Sequence, residues 1–430
     1  MMRLLVYGSH GPQVQLLQLA LRRAGYEPGA VNGVFDTRTE EALRAFQAAH
    51  DLSADGAAGE QTHTALRPWY TGYTVHTLRS GETFYRLAVR YGTTIRAIEI
   101  ANPALDPLNL TSGISVTVPL PFAIVPTDIA CCSALVEVCC AGIAARYPFV
   151  SQQEIGQSVL GRPLHCLSMG GGTNRVLYNA AHHANEWITV PLLLRFAEEL
   201  AHAAAFGLPL GGTDARALLD GTALFLLPCV NPDGVDLVTG DISAGTVYES
   251  ALEIAAAFPD ISFPAGWKAN ISGTDLNLQY PAGWTEAREI KSAQGYTRPA
   301  PRDYVGNAPL SAPESRAVYD YTLSVSPALT LSYHTQGGVI YWQYLDFDPP
   351  GALEIAERFS AASGYLVEAT PYVSGFAGYK DWFIQTYDRP GYTIEAGRGE
   401  NPLPPGDFAS IYAENLGILT SGLTATRQSR

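Results

Sequence analysis

Four short apolar, β-rich runs at residues 175–179, 223–229, 328–334 and 391–395 alternate with stretches of helical periodicity. From about Thr127 onward, that alternation constrains the chain to an α/β domain with a mixed, mainly parallel sheet flanked by helices. In such sheets, ligands bind beyond the carboxyl ends of the strands. The polar residues of interest fall there. Tyr178-Asn179 leads to His183, Pro228-Cys229-Val230 to Asn231-Pro232-Asp233-Gly234, Leu331-Ser332-Tyr333 to His334, and Tyr392-Thr393-Ile394 to Glu395.

Within this set, His183 and Glu186 stand three residues apart, just before the apolar-periodic positions Val190, Leu193, Leu194, Ala197 and Leu200. A first helical turn through Asn185-Glu186-Trp187 would place imidazole and carboxylate on one face. Zinc accepts both donors, and two His plus one Glu is a recurrent catalytic ligand set that leaves one position open. The pair alone is a weak signal, because Glu at a helix start also suits the positive end of the dipole. His182 competes with His183 as a ligand. His334 ends an apolar run and is followed by Thr335-Gln336-Gly337-Gly338, so it is the candidate third ligand. Glu395, placed in the same way, is the candidate general base for a metal-activated water; the alternative is an ion pair with Arg398. His165 and His202 lack such breaks and read as structural histidines.

At 430 residues, the chain can hold one large domain plus one or two small ones. A formal net charge of −14 argues against general nucleic-acid binding or attachment to an anionic membrane, since both need a basic surface. No apolar run approaches membrane-spanning length, and residues 1–10 lack the apolar core of a secretory signal. The expected location is cytoplasmic or sporulation-associated, or the cell wall after leaderless release or lysis. The cysteines Cys131, Cys132, Cys139, Cys140, Cys166 and Cys229 read as core packing in a reducing compartment rather than as a disulfide framework or metal cluster. Residues 131–146 are apolar enough for a helix, with Cys132 and Cys139 a heptad apart on one side.

Two small modules lead the chain. Residues 4–68 carry a compact helical pattern, with Val14, Leu17 and Leu21, then Thr39, Ala42, Leu43 and Phe46, and turns at Pro28-Gly29 and Asn32-Gly33. Gly11-x-x-Val14-x-x-Leu17-Gln18, Val31-Asn32-Gly33-x-Phe35, Phe46-Gln47, Asp55-Gly56 and Gly59-x-x-Thr62 resemble the peptidoglycan-binding domain found beside bacterial wall hydrolases. Residues 73–120 read strand, helix, helix, strand. Their Tyr73-x-Val75, Ser80-Gly81-Glu82-Thr83, Ala88-x-x-Tyr91, Thr93-Thr94, Asn102-Pro103 and Leu110-x-x-Gly113 resemble a LysM domain, which implies recognition of N-acetylglucosamine-containing glycan. Pro119, Pro121 and Pro126 mark a linker. The expected domains are therefore 1–69 (helical, peptidoglycan-binding), 70–122 (βααβ, LysM) and 127–430 (catalytic).

The large domain resembles the zinc carboxypeptidases, and in particular their γ-D-glutamyl-L-diamino acid endopeptidase branch. The resemblance rests on His183-Ala184-Asn185-Glu186-Trp187, Asn231-Pro232-Asp233-Gly234, Trp267-Lys268-Ala269-Asn270, Gly273-Thr274-Asp275-Leu276-Asn277, Tyr333-His334-Thr335, Asp381-Trp382 and Thr393-Ile394-Glu395. It implies one Zn2+ per catalytic domain held by His183, Glu186 and His334, with Glu395 as general base and proton shuttle and Asn277 as a substrate-binding residue. It also implies peptidoglycan stem peptides as substrate. The departures matter as much. Leu278 stands where a carboxypeptidase has the arginine that grips a free C-terminal carboxylate, as expected of an endopeptidase or of an enzyme acting at an unusual bond. Lys268 stands at the oxyanion arginine's place and keeps the charge without the planar fork. Lys380 is either a solvated lysine or a partner for the far carboxylate of diaminopimelate. The family's mobile tyrosine has no exact counterpart in register; Tyr372, one residue away, and Tyr379 are candidates for it, and Arg398 is a candidate for the α-carboxylate of a γ-linked D-glutamate. The alternatives are an exopeptidase removing one C-terminal residue, against which Leu278 argues, and a catalytically silent wall-binding protein, against which the intact His183, Glu186, His334 and Glu395 argue.

Overall fold

The computed structural model describes residues 2–427, and its chain divides near residue 152 into two compact units. The first unit opens with helices Pro12–Arg23, Thr37–Ala49 and Glu60–Thr71, whose contacting faces bury Val14, Leu17, Leu21, Leu43, Phe46 and Leu66 completely. Two buried glutamines hold the turns between them. Gln18 accepts from the backbone N–H of Asn32 and Gly33 and donates to the Val34 carbonyl; Gln47 accepts from Gly56 N–H and donates to the Ala57 carbonyl. A primary amide can serve donor and acceptor at once, which explains glutamine at both places. Strand β1 (Tyr73–Thr77) then pairs antiparallel with β2 (Ser115–Pro119) around helices Phe84–Tyr91 and Ile95–Ala101, giving the expected βααβ order. Thr83 and Thr94 cap the two helices through their hydroxyl oxygens.

The Cys-rich segment forms helix Ser133–Arg146, with Cys132 as its N-cap, and all six cysteines of the chain are buried thiols. This helix lies in the first unit. There the Arg146 guanidinium donates to the carbonyls of Gly72, Leu120 and Phe122.

The second unit is built on one eight-stranded sheet. Its strands are β3 (Ser151–Gln157), β4 (Pro163–Met169), β5 (Asn174–Ala180), β8 (Thr222–Leu227), β9 (Leu329–His334), β10 (Val339–Tyr341), β11 (Leu366–Glu368) and β12 (Gly391–Glu395), while β6 (Pro209–Leu210) and β7 (Thr213–Asp214) form a separate hairpin. The order across the sheet is β11-β10-β12-β9-β5-β8-β4-β3. The four central strands run parallel, and the direction reverses at β10–β12 and at β4–β8. These central strands are the four apolar runs of the sequence, because a strand covered on both faces must be apolar throughout. β8 stops at Leu227 rather than at Cys229, since Pro228 has no N–H for the ladder. The outer strands escape a reading based on apolar runs: β3 is polar and largely exposed, and β10 and β11 have three residues each.

The helix expected from Asn185 begins later. Ala184–Glu186 is a 3-10 turn, His183 before it is extended, and the α-helix is Thr189–Phe206. His183 and Glu186 therefore meet across a turn and not along a helical face. Among the described residues, no helix is long and apolar enough to cross a membrane.

Helix Pro313–Val325 buries Glu314 completely, with its carboxylate accepting from Val159 N–H at 3.1 Å and from Asn270 Nδ2 at 3.1 Å. Burial pushes its pKa from 4.5 up to about 7 against those hydrogen bonds. The native state thus holds this proton more tightly than the unfolded chain does. The associated stability is present below about pH 4.5 and is lost as the pH rises towards 7. Glu314→Gln should flatten that decline by on the order of 3 kcal/mol. Urea melts on either side of the interval check this; parallel declines for the two proteins would contradict it.

Candidate metal centre

The chain leaves β5 through Ala181, whose φ of 55° is the left-handed backbone that turns it out of the sheet. His182 and His183 follow with different fates. His182 is completely buried, with Nε2 at 2.9 Å from the Tyr280 hydroxyl; burial, together with His334 and His183, holds its pKa well below the usual histidine value. It stays neutral beneath the site, whereas His183 faces the cavity. Asn231 clamps this turn in place. Its Nδ2 donates to the carbonyls of His182 (3.1 Å) and Ala269 (3.0 Å), its Oδ1 accepts from Gly234 N–H, and Ala184 N–H donates to the Lys268 carbonyl at 3.0 Å. A Cβ on Gly234 would lie 2.8 Å from both the Ala184 Cβ and the Ala269 carbonyl oxygen, so only glycine fits there. The Asn231-Pro232-Asp233-Gly234 motif thus ties the His183 loop to the Lys268 loop.

His334 closes β9 beside Glu395 at the end of β12, the two being partners in the parallel register. His183 Nδ1 lies 2.9 Å from Glu186 Oε1, His334 Nδ1 lies 2.8 Å from Glu186 Oε2, and the two Nδ1 atoms are 3.2 Å apart. Ligand atoms of these three residues, one from each, all fall within 4.8 Å of one another. Two imidazole nitrogens aimed at each other across one carboxylate cannot all be satisfied by protons. A cation satisfies them together, and a His-Glu-His donor set suits zinc.

Lys268 Nζ donates to Glu186 Oε1 at 3.0 Å. Burial would raise the Glu186 pKa, but His183, Lys268 and His334 outweigh it and hold the carboxylate well below its usual range. For His183, burial opposes the charge while Glu186 and Asp275 favour it, leaving its pKa at about 9. For Glu395, burial is the largest influence and raises its pKa, Glu186 adds to the rise, and His334, Lys268 and His183 oppose it. An elevated carboxyl pKa is the direction expected of a group that must both take up and release a proton.

Asp275 lies in a motif quoted from the sequence, but only the structure assigns it a role. Its Oδ1 lies 3.3 Å from His183 Nε2, and its carboxylate also accepts from Asn277 N–H and Asp303 N–H, each at 3.1 Å. Holding the proton on Nε2 leaves the Nδ1 lone pair for a metal. Asp275→Asn should weaken zinc binding by about 10–100-fold in competition with a chromogenic chelator; unchanged affinity would show that His183 orients itself.

His183, Lys268, Asn277, His334, Lys380 and Glu395 line one cavity of about 220 Å3, above the buried Glu186. Asn277 uses its Oδ1 to accept from Tyr379 N–H, and among the described residues its Nδ2 has no protein acceptor. Leu278 forms wall, so no cation stands at its place. Lys380 is 4% exposed and donates to the Gln343 carbonyl at 2.8 Å and to Asp381 at 2.5 Å, so the solvated-lysine reading is overturned. The other three candidates, Tyr379, Tyr372 and Arg398, lie outside both this cavity and an adjoining one lined by Asn185, Thr335 and Gln336. Tyr379 is completely buried, its hydroxyl bonded to Thr322 and Thr330. Tyr372 is exposed on the 3-10 turn Tyr372–Ser374. Arg398 faces Glu414 and the Tyr365 ring. Among the cavity residues that escaped the sequence reading are Tyr341, on the three-residue β10, and Lys291, Arg302 and Asp303, in or before a proline-punctuated loop.

A mixed sheet that gathers a His-Glu-His set and a buried carboxylate at its carboxyl edge has the arrangement of a single-metal peptidase. Comparison with known proteins agrees. Residues 136–416 match the zinc carboxypeptidase family, residues 10–66 a peptidoglycan binding domain and residues 76–119 a LysM domain. The chain belongs to the zinc carboxypeptidase family and is a zinc metallopeptidase. Gamma-D-glutamyl-L-diamino acid endopeptidase 1 of Lysinibacillus sphaericus is 44% identical over 277 residues, 64% of this chain and 68% of that protein. The protein YqgT of Bacillus subtilis (strain 168) is 40% identical over 280 residues, 64% of this chain and 73% of that one. The fold is that of carboxypeptidase A from Helicoverpa armigera, with a TM-score of 0.55 at 19% identity over 70% of this chain and 74% of the other.

Proposed function

We propose that this zinc peptidase hydrolyses the γ-D-glutamyl–meso-diaminopimelate bond, or the bond to a related diamino acid, in peptidoglycan stem peptides. His183, Glu186 and His334 hold one zinc ion, with Asp275 orienting His183. When bound, zinc polarises the scissile carbonyl and acidifies water. Glu395 takes a proton from the attacking water as its oxygen bonds to the carbonyl carbon, then delivers that proton to the departing amine as the carbon–nitrogen bond breaks. Lys268 places positive charge beside the carbonyl oxygen, and Asn277 offers its Nδ2 to the leaving-group side.

The observation that carries this reading is the position of Glu395. It lines both the cavity holding Asn277 and Lys380 and a second cavity of about 530 Å3 that continues past Asn185, Thr335 and Gln336. Substrate can therefore extend on both sides of the bond, as an endopeptidase requires, and Leu278 offers nothing to a terminal carboxylate. The name of the Lysinibacillus sphaericus relative supports the particular bond. The two N-terminal domains suit attachment to cell-wall glycan, which raises the local substrate concentration without altering the chemistry.

Mass spectrometry of products from L-Ala-γ-D-Glu-diaminopimelate peptides tests the proposal. Release of L-Ala-D-Glu by untreated enzyme, and not by chelator-treated enzyme or Glu395→Gln, is the expected outcome. Release of only a terminal residue would make this a carboxypeptidase, and no cleavage by zinc-loaded protein would favour a wall-binding role.

A further inference from the structure

Four cations line the inner cavity: Lys268, Lys291, Arg302 and Lys380. Three have their charged atoms engaged by carboxylates: Lys380 Nζ by Asp381, Lys291 Nζ by Asp303 at 2.6 Å, and Lys268 Nζ by Glu186 at 3.0 Å. Arg302 differs. Only its Nε is used, donating to Asp303 Oδ2 at 2.7 Å, and among the described residues its two terminal amino groups make no hydrogen bond to protein. Asp303 is shared with Lys291, so the Lys291–Asp303–Arg302 cluster keeps one net positive charge. That charge is presented by a half-buried planar fork suited to a carboxylate.

Its position is equally specific. Arg302, Lys268, Tyr341 and Glu395 are the residues common to both cavities, so Arg302 stands where the two meet beside the general base. Resting on the γ-D-glutamyl reading, we infer that Arg302 binds the α-carboxylate of the D-glutamyl residue and thereby sets specificity for a γ-linked acidic residue on the acyl side of the cleaved bond. A γ-linked glutamate carries that free carboxylate a short carbon chain away from its scissile carbonyl. An α-linked residue with a neutral side chain has no anion at that place. Arg398, the candidate read from the sequence, is paired with Glu414 and lines neither cavity.

The test compares two peptides that differ at one group: L-Ala-γ-D-Glu-diaminopimelate, and its counterpart with the glutamyl α-carboxylate converted to the carboxamide. Wild-type enzyme should prefer the carboxylate by about 10–100-fold in kcat/KM, the worth of a charge-assisted pair. In Arg302→Gln that ratio should collapse towards one, and in Arg302→Lys, which keeps the charge and loses the fork, it should lie between. The Lys291–Asp303 bond and Asp303 N–H to Asp275 survive both changes, which favours intact folding. An Arg302→Gln enzyme that slows on both peptides by the same factor, keeping the wild-type ratio, overturns the inference. Equal cleavage of both peptides by wild type also overturns it while leaving the γ-D-glutamyl reading standing. Cleavage of neither by zinc-loaded wild type sinks that reading and the inference together.

Discussion

Glu395→Gln is expected to lower kcat on the proposed γ-D-glutamyl–diaminopimelate substrate by about 10²–10⁴-fold, with KM and zinc content little changed. Glutamine keeps the size and one acceptor of the carboxylate but cannot take a proton from water. Its backbone role is also preserved, because Gly338 N–H donates to the residue-395 carbonyl and the β12 ladder to β9 needs no side chain. The effect is therefore on the barrier, about 3–5.5 kcal/mol, and not on the fold. Stopped assays with metal analysis of the same samples separate the two. A variant that holds zinc and retains activity within about threefold of wild type would move the base elsewhere in the cavity.

The second large effect should come from His334→Ala. His334 is 1% exposed and contributes an Nδ1 that approaches both Glu186 and His183, while Lys268 remains to neutralise Glu186 once the imidazole is gone. An orienting partner is worth about 10–100-fold in metal affinity, so loss of a donor should cost more than about 100-fold. Zinc stabilises whatever folded state binds it, so the wild-type melting temperature should rise on adding zinc and that of His334→Ala should not. The strand itself survives, since Ala396 N–H still donates to the residue-334 carbonyl. One zinc per chain persisting in His334→Ala after dialysis would exclude His334 as a ligand.

The fold was legible where burial leaves a mark. β5, β8, β9 and β12 are covered on both faces, so each is an apolar run, and the residues that follow them stand at the carboxyl edge of the sheet. β3, β10 and β11 left no such mark, being polar or only three residues long. The His183–Glu186 spacing was legible too, although a 3-10 turn brings the pair together instead of a helix. The tyrosines and the arginine were not. Tyr379 is drawn into the core by Thr322 and Thr330, Tyr372 is left outside, and Arg398 is taken by Glu414, all partners distant in the chain.

By itself the sequence determined the inventory: a peptidoglycan-binding-type module and a LysM module, an α/β domain, a His-Glu-His set, a strand-end carboxylate, and a leucine in place of a carboxylate-gripping arginine. These are properties of residue type and near-neighbour spacing, which the chain carries before it folds. Only the tertiary structure decided that Asp275 holds His183, that Asn231 ties the His183 loop to the Lys268 loop, and that Arg302, of the four cavity cations, is the one whose terminal nitrogens make no hydrogen bond to the described residues. The physical reason is that a side chain's remaining charge and hydrogen-bonding capacity depend on which partners reach it. In this protein those partners come from loops and strands far away in sequence.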